Sequence, residues 1–145
     1  MAPLEKMAWW GLAVGTAFAA AMFAAFFAGG GIETFDKDTG FRLIIDILWI
    51  GGLVANLVIM NLTTRQAGQI DERDRMIMAR APRAQWLAMI FSLAGWTIAL
   101  TESYHETGLV PTAYLYLVFM TVLAFGTLAY CLGIIIGYRR AGRYG

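Results

Sequence analysis

The sequence predicts an all-α integral membrane protein, a four-helix bundle of two transmembrane hairpins with both termini on the cytoplasmic side. Three observations carry this. The 145 residues are 59% hydrophobic and 14% charged, against about 25% charged in ordinary soluble domains. Four apolar runs approach or exceed the roughly 20 residues that cross a bilayer as a helix. The basic residues collect on alternate sides of those runs.

The first run, "MAWWGLAVGTAFAAAMFAAFFAGG", covers about 7–30. It is longer than the roughly 7–15 apolar residues of a signal peptide core, so a spanning helix is expected instead. The "GGG" at its end, Gly29 to Gly31, reads as a helix stop. The second run, "LIIDILWIGGLVANLVIMNL", covers 43–62. The third, "WLAMIFSLAGWTIAL", is short alone and extends upstream, giving a span of about 84–101. The fourth covers about 113–138 and closes on "GIIIGYRRAG". In hydrocarbon a backbone must satisfy its own hydrogen bonds, so each run favours one helix.

Between the second and third spans lie Arg65, Arg73, Arg75, Arg80 and Arg83, and after the fourth come Arg139, Arg140 and Arg143. The opposite side holds only Lys37 and Arg42. Positive charge is retained on the cytoplasmic side. This places both ends and the segment 63–83 in the cytoplasm of a multi-pass inner-membrane protein. Lys6 agrees. The outer loops "GIETFDKDTGFR" and "TESYHETGLVPT" lean acidic.

The segment 63–83 is the most charged part of the chain, with Asp71, Glu72, Arg73, Asp74 and Arg75 in sequence. Asp71 suits a helix N-cap, with acids in the first turn favoured by the helix dipole. Asp71 and Arg75 also stand at i,i+4 with the acid first, the better order for a pair. Pro82 marks a bend or the first turn of the third span. The segment reads as a solvated topogenic connection or, more sharply, as a docking surface for a cytoplasmic partner. The interleaved acids weaken an anionic-headgroup reading.

"DERDRMIMARA", preceded by one hydrophobic hairpin and followed by another ending "GYRRAG", resembles a family of small four-span bacterial membrane proteins of unknown function with a DER-type motif before the third span. The resemblance covers roughly 69–143. It implies the fold and a bacterial inner membrane, and it carries no activity. Pro82 departs from a helix that would otherwise run unbroken into the third span.

Helices in lipid associate through close packing, which small residues permit. Gly11, Gly15 and Ala19 recur at steps of four in the first span. So do Ala129, Gly133 and Gly137 in the fourth, Gly51 and Ala55 in the second, and Ala84, Ala88 and Ser92 in the third. These stripes are expected at contacts within the bundle or with another subunit. Trp9, Trp10, Trp86, Tyr138 and Tyr144 fall at the cytoplasmic interface, and Tyr104, Tyr114 and Tyr116 near the outer one, where aromatic belts form.

Polar residues near or inside the spans are the remaining candidates. Asp46 is the one acid inside a span, and an intramembrane carboxylate is a functional hypothesis by default. Arg42 lies one turn earlier, which suggests an interfacial ion pair. Asn56 sits about 15 Å deeper on the same face. The two could line a proton or cation pathway in an oligomeric transporter or channel, while interhelical hydrogen bonding is the simpler role for Asn56. Glu102 and His105 show the Glu-x-x-His spacing of di-metal bundles, but in one copy and at the membrane edge. Glu33, Asp36 and Asp38 could approach them. His105 could also ligate a haem or chlorin. Cys131 lies in an apolar run, where its thiol is a poor nucleophile, and Ser92 and Ser103 have no evident base.

No cofactor is required by the sequence, and a net charge of +1 gives no reason to expect nucleic acid. The expected role is non-catalytic: an accessory or regulatory subunit, in contact with lipid and with other membrane-protein subunits of a larger inner-membrane complex. Energy-converting complexes are one such class of host, by analogy alone. The rival readings are the Asp46 transporter and the His105 cofactor or metal protein.

Overall fold

The computed structural model describes residues 2–66 and 71–141; within 55–66 it describes the helical backbone and the side chain of Val58. The described chain is all-α, with α1 (Pro3–Ala28), α2 (Gly31–Lys37), α3 (Thr39–Gln66), α4 (Glu72–Tyr104) and α5 (Thr112–Ala141). Three of these, α1, α4 and α5, are long and apolar enough to cross a membrane. The expected second span, 43–62, lies within the single helix α3.

Local chemistry sets most boundaries. Pro3 opens α1 at a position where its missing amide costs nothing. The helix stops at the glycines: Gly30 and Gly31 take φ of 110° and 64°, a left-handed backbone that side chains with a Cβ resist. That kink starts α2, so part of the expected outer loop is a short helix. Its Phe35 side chain turns into the core. Asp38 then begins α3, its Oδ1 accepting from the amides of Gly40 (2.8 Å) and Phe41 (3.3 Å). This is the N-cap geometry that satisfies otherwise orphaned donors.

From Glu72 the charged segment is helical, as its capping chemistry suggests. Asp71 is the N-cap of α4, and its Oδ1 accepts from the Glu72 amide at 2.7 Å. The expected Asp71–Arg75 ion pair does not form, because the carboxylate is turned back onto the cap. From Glu72 the helix runs through Pro82 into the third span without interruption. Pro82 deprives the Met78 carbonyl of its intrahelical partner, yet the packing of Ile77 and Ala81 on α5 spans that gap.

α5 is the central helix. One side packs along α4 in the most extensive interface of the molecule, and α1 packs on another side. The small residues explain how closely they meet. A Cβ on Gly133 would lie 3.3 Å from the Ala81 Cα and the Ala84 Cβ, and one on Gly137 would lie 2.8 Å from Ile77 Cγ2. Gly11 and Gly15 do the same for α1, facing Cys131 Sγ at 3.0 Å and Leu128 Cδ2 at 3.3 Å. In α3 the stripe is displaced by one residue. Gly51 has nothing within 4 Å, whereas Gly52 lies directly under the Phe18 ring. Trp49, three residues before Gly52, stacks on that same ring, and this fixes which face of α3 turns inward. Gly51 falls outside it, and the side chain of Ala55 lies outside the described residues.

Two cores result. One gathers Met22, Phe26, Phe35, Ile45, Trp49, Ala113, Leu117 and Met120 near the α2 end. The other gathers Ala8, Ile77, Ala81, Ile134, Ile135 and Tyr138 near the α4 N-terminus. Between them, α1, α3 and α5 border an apolar crevice of about 210 Å³.

Candidate functional site

The end of the molecule where α4 begins and α5 finishes brings together the most polar chemistry of the helical body. Helical periodicity places Asp74, Ile77 and Ala81 on one face, since residues three and four apart are neighbours. All three are buried against α5. Asp74 is the one charged side chain buried among the described residues. Burial of a carboxylate is costly unless it is hydrogen-bonded, and here the Tyr138 hydroxyl donates to Asp74 Oδ1. Arg73 reaches over the same tyrosine, its guanidinium carbon 5.7 Å from the ring centroid and its Nη2 donating to the Tyr138 carbonyl at 3.5 Å. That carbonyl lies in the last turn of α5, where the helix dipole favours a cation. Arg139, one residue later, stands 5.8 Å over the Trp9 ring and ties α5 to the start of α1.

Of the expected docking residues, Asp74 therefore faces inward and Arg73 bridges to α5. Asp71, Glu72 and Arg75 stay exposed, as do Arg80 and Arg83 further along. The result is a charged helical face on a fixed base. Sequence spacing flagged the segment but not its anchor, because Tyr138 lies 64 residues away. Its position before "RR" suggested only an interfacial aromatic.

At the other end, Asp36 of α2 accepts from Thr112 Oγ1 (2.6 Å) and the Ala113 amide (3.2 Å), capping α5 from across the fold. It does not approach Glu102 and His105. Those two meet through the main chain: His105 Nδ1 lies 3.1 Å from the Glu102 carbonyl oxygen. A carbonyl only accepts, so this contact puts a proton on Nδ1. Nε2 faces Glu106 Oε1 at 4.0 Å, and both of these side chains are largely exposed. Among the described residues, no group of three or more His, Cys, Asp and Glu side chains is placed to hold a metal ion.

Asp46 and Arg42 do not pair; the ion pairs among the described residues are Lys37–Glu33 and His105–Glu106. Asp46 lies instead near the Tyr116 hydroxyl, whose proton is donated to the Ile45 carbonyl at 3.5 Å. Asn56 is within α3, and its side chain lies outside the described residues. Trp96 Nε1 donates to Thr121 Oγ1 at 2.6 Å, a polar tie between α4 and α5 inside an apolar span. Cys131 is buried against Gly11.

Comparison of the chain with protein-family models, with curated proteins and with solved structures returns no match.

Proposed function

We propose that this protein is a non-catalytic accessory subunit of a larger bacterial inner-membrane complex, with α3 as a fourth span and both termini in the cytoplasm. The observation that carries the reading is the anchored start of α4. A mere topogenic loop needs charge and no fixed shape. Here one face of the charged helix is held to α5 by Asp74, Ile77 and Ala81, while Asp71, Glu72, Arg75 and Arg80 project outward. A rigid, mixed-charge face of this kind favours recognition by a complementary partner, since charge patterns contribute specificity and register more than bulk affinity. The membrane-spanning part of α4 adds an apolar contact surface, with Trp86, Leu87, Ile90 and Phe91 exposed along it.

The test is recovery of a defined partner from native membranes in mild detergent, and its loss in a Glu72→Arg, Arg75→Glu double variant that still folds. A partner-free, monodisperse wild-type preparation at native expression level overturns the subunit reading. The topology is tested separately. A cysteine introduced at Arg75 in a Cys131→Ala background should resist an impermeant thiol reagent in intact cells and react after permeabilisation.

A further inference from the structure

We infer that the start of α4, from Glu72 to Ala81, is a hinged arm. It docks on α5 and comes away as one unit at Pro82, while the rest of α4 stays in place.

The arm cannot hold its own shape. A helix shorter than about 12–15 residues is marginal in water, and this segment makes fewer than three turns. Its junction with the rest of α4 is weak as well. Pro82 has no amide to donate to the Met78 carbonyl, so the backbone ladder has a gap where the arm ends. Beyond Pro82 the balance reverses. The remainder of α4 is long and apolar enough to cross a membrane, and in hydrocarbon a backbone must keep its own hydrogen bonds. Met89 seats it against Gly126, and Trp96 ties it to Thr121 at 2.6 Å.

The arm is therefore helical because α5 holds it. Ile77 sits against Gly137 and Ala81 against Gly133. Asp74 accepts from the Tyr138 hydroxyl, and Arg73 donates to the Tyr138 carbonyl at 3.5 Å. Both polar contacts converge on Tyr138, so one residue carries the latch. Without its hydroxyl, Asp74 is buried and lacks its donor, and undocking is then the way the carboxylate regains water. Segments held by few contacts open in this manner, as contiguous units below the global stability.

The consequence for recognition rests on the subunit reading. Asp71, Glu72, Arg75 and Arg80 form one rigid charged face only while the arm is docked. A partner that reads this face binds the docked form and stabilises it by mass action. Tyr138 is then a positioning residue for the docking face and touches no partner.

Hydrogen exchange on the full chain in mild detergent tests the arm with no partner present. The informative amides run from Arg75, which donates to the Asp71 carbonyl at 3.1 Å, to Ala81. They should show similar protection, lower than that of the amides from Trp86 onward, whose acceptors begin at Pro82. Tyr138→Phe should speed exchange over 75–81 roughly tenfold and leave 86–100 unchanged. Ile77→Ala should act on the same segment and serves if the tyrosine variant does not fold. Pro82→Ala restores the missing donor and should slow exchange over 75–81 roughly tenfold. An equal rise on both sides of Pro82 overturns the hinge, as does a Pro82→Ala variant that leaves 75–81 unchanged. No rise in either Tyr138→Phe or Ile77→Ala overturns the latch. Partner recovery should fall in Tyr138→Phe and return when Pro82→Ala is added. Recovery that does not fall overturns the positioning role, and a wild type that recovers no partner overturns the subunit reading; the exchange result decides the arm in both cases.

Discussion

The two ends of the helical body solve one packing problem by opposite means. Near α2 the space is filled by rings: Phe26 lies 5.5 Å from Phe35 and Phe35 lies 5.1 Å from Tyr116, centroid to centroid. Near the α4 N-terminus it is narrowed, since Gly133, Gly137 and Ala81 let α4 and α5 approach closely, with Ile77 seated against Gly137. Burial from lipid is a weak drive compared with burial from water, so contact area and interhelical hydrogen bonds must hold helices together. Large rings provide contact where a short helix and two turns leave irregular room. Small residues provide it where two long helices run side by side, and Asp74–Tyr138 adds the polar bond. Between α1 and α3 the two devices meet, the Phe18 ring stacking on Trp49 and lying over Gly52, and a crevice remains beside them.

That contrast can be broken from either end. The largest effect is expected from Phe26→Ala at the ring-filled end. Phe26 is fully buried, and emptying such a site costs about 3–5 kcal/mol, to be read from unfolding of the purified protein in detergent. A loss under about 1 kcal/mol would mean that this end repacks freely. Tyr138→Phe at the close-packed end should cost about 1–3 kcal/mol, because it leaves a buried carboxylate without its donor. It should also raise hydrogen exchange in the first turns of α4 while the α2 end stays protected. Exchange rising equally at both ends would show that the bond does not act locally. The smallest effect is expected from Asp36→Ala, which removes the cap on α5 and should cost about 0.5–2 kcal/mol. Asp36→Asn, which keeps an acceptor oxygen, should recover most of it.

Much of this was legible from residue order. Apolar run length and the satisfaction of backbone hydrogen bonds place α1, α3 and α5 to within a few residues, whereas α4 begins at Glu72, well before the expected span at 84. Asp71 as the α4 cap, the glycine stop after α1, and the contact role of Gly11, Gly15, Gly133 and Gly137 follow from local geometry. Elsewhere a local rule met a competing one. Asp71 and Arg75 have the right spacing for a pair, but the cap engages the carboxylate first. Pro82 reads as a boundary, yet the helix persists because α5 supports it on both sides of the gap. Gly51 and Gly52 are indistinguishable in sequence until the Phe18 ring chooses between them.

Sequence alone determined that this is a helical protein with segments long and apolar enough to cross a membrane, because helix formation and apolar run length depend on short-range periodicity and composition. Tertiary structure alone decided that Asp74 is sheltered by Tyr138, that Asp36 caps α5, and that α1, α3 and α5 border an apolar crevice. Those pairings join residues many tens of positions apart. No local preference encodes them, and they exist only once the helices have chosen which faces to press together.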